Sequence, residues 1–141
     1  MLFRRKKKEK FNILLCVSTV NVGASIREII PDNPDTPDIQ YNFVNEFYYG
    51  RPMLDFYRKN KAYIDCVIVD ANCEGLDGYD ICRELREMDR NAKIILISES
   101  KKKLNQAKKL YYLDGILLQP YQPAYMWSRI NDIIESIKRG R

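Results

Sequence analysis

Short apolar runs alternating with helical patterns constrain this chain more than any other feature. Residues 64–69 (IDCVIV) and 94–97 (IILI) have strand length, are rich in β-branched side chains and leave no polar face for water. Residues 11–17 (FNILLCV) form a third such run, and residues 116–118 a shorter one. Residues 39–47 alternate loosely, with Ile39, Tyr41 and Phe43 on one side. Strands buried on both faces belong to parallel sheets covered by helices.

The intervening segments supply those helices. Residues 21–30 carry Val22, Ile26, Ile29 and Ile30 on one side and stop at Pro31. Residues 31–38 (PDNPDTPD) read as a stiff, extended loop. Residues 52–63 fit a helix with Pro52 in its first turn. Asp77 is placed to N-cap a helix over 78–88, with Ile81, Cys82, Leu85 and Met88 as its apolar stripe. A helix over 101–113 is expected to end near Gly115. A last helix over 122–138 places Met126, Ile130, Ile133 and Ile137 on one face. The order is βαβαβαβαβα, a doubly wound α/β domain with right-handed crossovers. Sites in such sheets lie at the carboxyl ends of strands, which directs attention to Ser18–Thr19, Asp70 and Ser98.

At 141 residues the chain suits one core, and its 45% hydrophobic and 30% charged composition is that of an ordinary soluble protein. No apolar run spans a bilayer, and the basic start is not a secretory signal, so a cytoplasmic setting is expected. The net charge of +5 is local. Residues 1–10 hold six of the 24 Lys/Arg and one of the 19 Asp/Glu, leaving 18 of each sign over residues 11–141. Residues 1–10 therefore read as a flexible basic arm preceding a neutral domain. The plain interpretation is a solvated tail; the sharper one is a weak contact with anionic lipid or nucleic acid. Four cysteines without CxxC spacing, and no histidine, argue against a zinc site and against Ser-His or Cys-His nucleophiles. Reduced, mostly buried thiols are expected.

Residues 64–87 (IDCVIVDANCEGLDGYDICRELRE) resemble the signature of response-regulator receiver domains, the CheY-like family. There an apolar strand ends in a phosphoaccepting Asp, and a loop, Asp-Gly and an amphipathic helix ending in Leu-Arg follow. Here these are Asp70, residues 71–76, Asp77-Gly78 and Leu85-Arg86. The resemblance continues through residues 93–98 (KIILIS) and 114–120 (DGILLQP), with Ser98 28 positions after Asp70 and Gln119 21 positions after Ser98. It implies a flavodoxin-like (βα)5 fold over 11–141, with five parallel strands in the order 2-1-3-4-5.

In that family a divalent metal is held by two acids after the first strand, the acceptor Asp and a backbone carbonyl two residues beyond it, here Asn72. A Lys after the fifth strand neutralises phosphoryl charge. This chain departs from the pattern. The acid pair falls on Val17-Ser18 or Ser18-Thr19, the Lys is Gln119, the loop proline is Glu74, and the aromatic switch position is Ile116. Asp70 and Ser98 are what remain of the side-chain set, with Ser98 at a switch position. The losses remove charge that would retain Mg²⁺. Glu74 is the acid that could supply one metal carboxylate, leaving weak Mg²⁺ binding and residual phosphorylation at Asp70 as an alternative.

The expectation is a non-enzymatic, phosphorylation-independent pseudo-receiver that signals through a protein partner, a second copy of the chain included. The resemblance places such contacts on the face of helix four, strand five and helix five, where Tyr111, Tyr112, Tyr121, Tyr125 and Trp127 lie. The resemblance fills the chain, so output is expected through that partner, or the sequence is a piece of a larger protein; no small-molecule substrate is expected. A further alternative is a flavodoxin-like ligand domain using Ser18, Thr19, Asn21, Gly23 and Ser25, where hydroxyls and a glycine precede a helix.

Overall fold

The computed structural model describes residues 8–140. Its strands are β1 (Glu9–Cys16), β2 (Ile39–Phe47), β3 (Cys66–Asp70), β4 (Ile94–Ser98) and β5 (Gly115–Leu118). Its helices are α1 (Val20–Ile29), α2 (Gly50–Asn60), α3 (Gly78–Met88), α4 (Lys101–Tyr111) and α5 (Pro123–Arg139). All adjacent strands run parallel, in the order β2-β1-β3-β4-β5, as expected for a flavodoxin-like sheet.

The continuous apolar runs divide by strand alternation into two cores. Leu14, Val67, Val69, Ile94 and Leu96 pack with Met53, Leu54, Ile81, Leu85 and Leu104 beneath α2, α3 and α4. Ile13, Leu15, Ile68, Ile95 and Ile97 pack with Ile26, Ile30, Met126, Ile130 and Ile133 beneath α1 and α5. Each fully buried aliphatic side chain contributes roughly 1.5–3 kcal/mol, so these layers hold the fold and leave the strand ends free to carry polar groups. Among the described residues no helix is long and apolar enough to cross a membrane.

Three local outcomes differ from the sequence expectations. β1 begins at Glu9, because Glu9 and Lys10 pair with Ile39 and Gln40 of β2. Residues 1–7, the rest of the basic arm, lie outside the described residues. The loop over residues 31–38 is tied down: the Asn33 side-chain amide donates to Asn131 Oδ1 of α5 at 2.8 Å. α4 ends at Tyr111, not near Gly115. Tyr112 takes the left-handed conformation (φ 51°), and its N–H closes on the Lys108 carbonyl. Arg86 makes that ending workable, since its guanidinium donates to the Tyr111 and Tyr112 carbonyls at 2.8 and 2.9 Å. These carbonyls would otherwise be orphans of the helix end, and Gly115 is free to start β5.

Candidate functional site at the carboxyl edge of the sheet

Asp70 ends β3 beside β1 and β4 and is 1% exposed. A carboxylate buried this deeply requires donors, and the backbone around it supplies them. Oδ1 accepts the Asn72 N–H at 3.0 Å. Oδ2 accepts the Ser18 N–H at 3.1 Å and also the Ser18 hydroxyl. The turn after β3 closes tightly enough that Gly78 is required: a Cβ there would meet Asp70 O and Ala71 Cα at 2.5 Å. The Asp77 side chain caps α3 by accepting the Asp80 N–H at 2.9 Å.

The residues at which the resemblance leads us to expect an acid pair, and Glu74, each have another role. Val17 is fully buried in the core under α1 and α5. Ser18 is spent on Asp70. Thr19 N-caps α1, accepting the Val22 N–H at 3.2 Å. Glu74 is exposed, and its backbone forms an isolated bridge with Tyr49. Among the described residues no three His, Cys, Asp or Glu side chains gather closely enough to hold a metal ion. The donor set at Asp70 is one carboxylate whose two oxygens already accept three hydrogen bonds from neutral donors. It does not fit a hard divalent cation, which needs several oxygen ligands.

Ser98 ends β4 and is 4% exposed. Its Oγ accepts the Ser100 N–H at 3.1 Å and shares a 2.5 Å hydrogen bond with the Tyr79 hydroxyl. The Lys103 ammonium lies 5.8 Å from the Tyr79 ring centroid, covering the same group. Tyr79 is the site residue that sequence reasoning missed. The available signal was a hydroxylated aromatic on the first turn of α3, directly after the Asp77-Gly78 pair.

Gln119 follows β5 and donates its N–H to the Ser98 carbonyl at 2.8 Å. With Asn21, Ser25, Glu99 and Tyr121 it lines an open cleft of about 640 Å³. Of the hydroxyl-rich loop, only Asn21 and Ser25 face this cleft. Gly23 instead admits the Glu46 carboxylate, which a Cβ would strike at 2.6 Å. Tyr121 is partly buried, and that burial, with the Asp70 charge, pushes its phenol above the ordinary value.

The five aromatics expected on one face do not stay together. Tyr121 and Tyr125 line a groove of about 380 Å³ between α4, β5 and α5, which also contains the switch position Ile116. Tyr112 is 78% exposed at the end of α4 and faces a separate hollow beside Arg86 and Arg90. Tyr111 packs partly on the core under α2, α3 and α4. Trp127 turns the other way: its indole N–H donates to the Ile29 carbonyl of α1 at 2.6 Å, satisfying a free helix-end acceptor.

Comparison with known proteins agrees with this architecture. The chain superposes on a response-regulator receiver domain from Clostridium thermocellum with a TM-score of 0.78 and 19% identity, covering 93% of this chain and 99% of that one. It superposes on a chain of the CheX–CheY–BeF3–Mg complex from Borrelia burgdorferi with a TM-score of 0.75 and 19% identity, covering 88% and 89%. A curated relative, "Probable transcriptional regulator ycf29" of Porphyra purpurea, is 27% identical over 127 residues, which are 88% of this chain and 56% of that protein. This chain therefore spans little more than half the length of that relative. The family model of the response regulator receiver domain matches residues 36–131. The match starts beyond β1 and α1. On that match and this fold, the chain belongs to the response regulator receiver domain family.

Proposed function

We propose that this chain is a non-catalytic, cytosolic signalling module that works by protein contact, without phosphotransfer at Asp70. The observation that carries this reading is the closure of the Asp70 carboxylate by Ser18 and Asn72, with no metal-holding group of three acids, cysteines or histidines among the described residues. An attacking carboxylate needs a free oxygen and nearby positive charge to offset repulsion from the phosphoryl group. Here Gln119 is neutral, and both Asp70 oxygens already accept hydrogen bonds.

The groove between α4, β5 and α5 supports the contact role. Its floor is Leu104 and Leu117, its sides Ile116, Tyr121 and Tyr125, and its rims Lys101 and Arg129. Aromatic anchors over an apolar floor with cationic edges suit a partner segment that is apolar and acidic. Tyr125 is 58% exposed. Tyr125→Ala is expected to leave stability within about 0.5 kcal/mol while weakening association at least tenfold.

Incubation of the full chain with acetyl phosphate and Mg²⁺, followed by intact mass, tests the central point. The expected spectrum is unchanged. A labile phosphate adduct that disappears in Asp70→Asn would establish a working phosphoacceptor instead. Sedimentation of the purified chain shows whether the partner is a second copy.

A further inference from the structure

Two thiols flank the Asp70 network and take no part in it. Cys16 is the last residue of β1, two residues before Ser18, and Cys73 follows Asn72 in the loop after β3. Their sulfurs are 3.7 Å apart and share a weak hydrogen bond. Cys16 is fully buried, and Cys73 is 5% exposed. Both are free thiols, and among the described residues theirs is the thiol–thiol hydrogen bond.

The two sulfurs sit in unlike mechanical settings. Cys16 is fixed in a strand hydrogen-bonded to both neighbours, β2 and β3. Cys73 hangs on a long 3.4 Å hydrogen bond from its N–H to the Asp70 carbonyl. Two residues later Gly75 has φ 77° with nothing packed against it. A disulfide has sulfurs about 2.05 Å apart, so the gap must close by roughly 1.7 Å. Asn72 and Glu74 on either side are held by Asp70 and Tyr49, so the movement falls on the Cys73 side chain and its weakly held N–H while β1 stays in register.

We propose that Cys16 and Cys73 form a reversible intramolecular disulfide when the chain meets hydrogen peroxide. The Cys73 sulfur attacks one peroxide oxygen. The O–O bond breaks, one water leaves, and Cys73 becomes a sulfenic acid. The Cys16 sulfur then attacks the Cys73 sulfur, the S–O bond breaks, and the second water leaves. Two thiols lose two electrons and two protons; one peroxide is reduced to two waters. The bond ties the Asn72 loop to β1, within two residues of both groups that close Asp70. The hydrogen bond to Cys16, together with burial, pushes the Cys73 thiol well up. Reaction through thiolate is therefore slow at neutral pH and accelerates as pH rises.

The test uses the full chain, reduced, desalted and exposed to hydrogen peroxide under native conditions, then unfolded in denaturant and alkylated, because all four thiols are buried in the folded state. The expected product is lighter by two hydrogens before alkylation. Two of its four cysteines escape alkylation, one peptide links Cys16 to Cys73, and dithiothreitol restores the starting mass. Alkylation of all four thiols, a link involving Cys66 or Cys82, a link between chains, or oxygen additions alone would each overturn the proposal. The peptide map needs no variant. As a second measurement, Cys73→Ser should abolish the product, and its persistence there would also overturn the proposal. None of these readouts depends on whether Asp70 accepts phosphate.

Discussion

The Ser18 hydroxyl donates to the same Asp70 oxygen that accepts the Ser18 backbone N–H, so one residue closes one side of the carboxylate. The serine thereby turns a carboxylate that could ligate a metal into a satisfied, buried group. Replacing it by an acid reverses the logic. Ser18→Asp puts two carboxylates together in a poorly solvated corner, at a cost on the order of 2 kcal/mol in the absence of metal. Thermal unfolding in EDTA should show a lowered Tm, and millimolar Mg²⁺ should restore part of it. The unsubstituted chain should show no Mg²⁺ dependence. An equal response of both proteins to Mg²⁺ would refute this account of the site.

The Tyr79 hydroxyl holds Ser98 from the side opposite the strand, 2.5 Å from its Oγ. With the Ser100 N–H also on that oxygen, the hydroxyl is pinned at two points. Tyr79→Phe removes one partner and nothing of the ring packing. Denaturant titration should show a loss of about 1 kcal/mol, with the slope unchanged. Ser98→Ala should cost a similar amount, and the double substitution less than the sum, because both remove the same bond.

How much of this was legible in the sequence depended on the range of the interaction. The strands were readable because burial on both faces leaves nothing but an apolar run, and Asp70 because it terminates the clearest of them. Gly78 was readable as part of a motif, although the backbone approach that requires it is visible only in three dimensions. The Tyr79–Ser98 bond links residues 19 apart across a helix–strand packing, and no local pattern encodes it. Trp127 shows the same limit. The stripe of Met126, Ile130 and Ile133 fixed which side of α5 faces the sheet. It did not settle whether the residue one step round the helix would meet α1 or β5. The ending of α4 escaped because Arg86, 25 residues earlier, satisfies its carbonyls and removes the need for a glycine.

Asp89 makes the stability of the α3 C-terminus depend on acid. Burial works to raise its pKa, but the Tyr57 hydroxyl at 2.7 Å, the Asn91 N–H and the Lys61 and Arg86 charges outweigh it, so the carboxyl is held below its ordinary 3.8. A depressed pKa in the folded state contributes stability above the unfolded-state value, and that contribution is lost as pH falls through the folded value. Unfolding free energy should therefore decline below about pH 4. Tyr57→Phe should be less stable than the parent at pH 7, and the difference should narrow toward pH 2–3. A gap between the two proteins that stays constant from pH 7 to 3 would contradict this.

Arg86 is the polar group on which the most backbone depends. Its guanidinium reaches the carbonyls of Arg90 and Ala92 at 2.9 and 2.7 Å, besides those of Tyr111 and Tyr112, and lies 3.5 Å from the Asp114 carboxylate. One side chain thus closes the turn after α3 and the end of α4 together, at 15% side-chain exposure. Arg86→Met keeps most of the packing volume and leaves those carbonyls to water, at a cost of about 2–4 kcal/mol. Arg86→Lys should recover little of this, since an ammonium cannot reproduce a planar fork of five donors. Hydrogen exchange should show the loss most clearly at residues 108–113, where the left-handed Tyr112 relies on the fork. Faster exchange confined to α3, with α4 unaffected, would show that the α4 ending does not need Arg86.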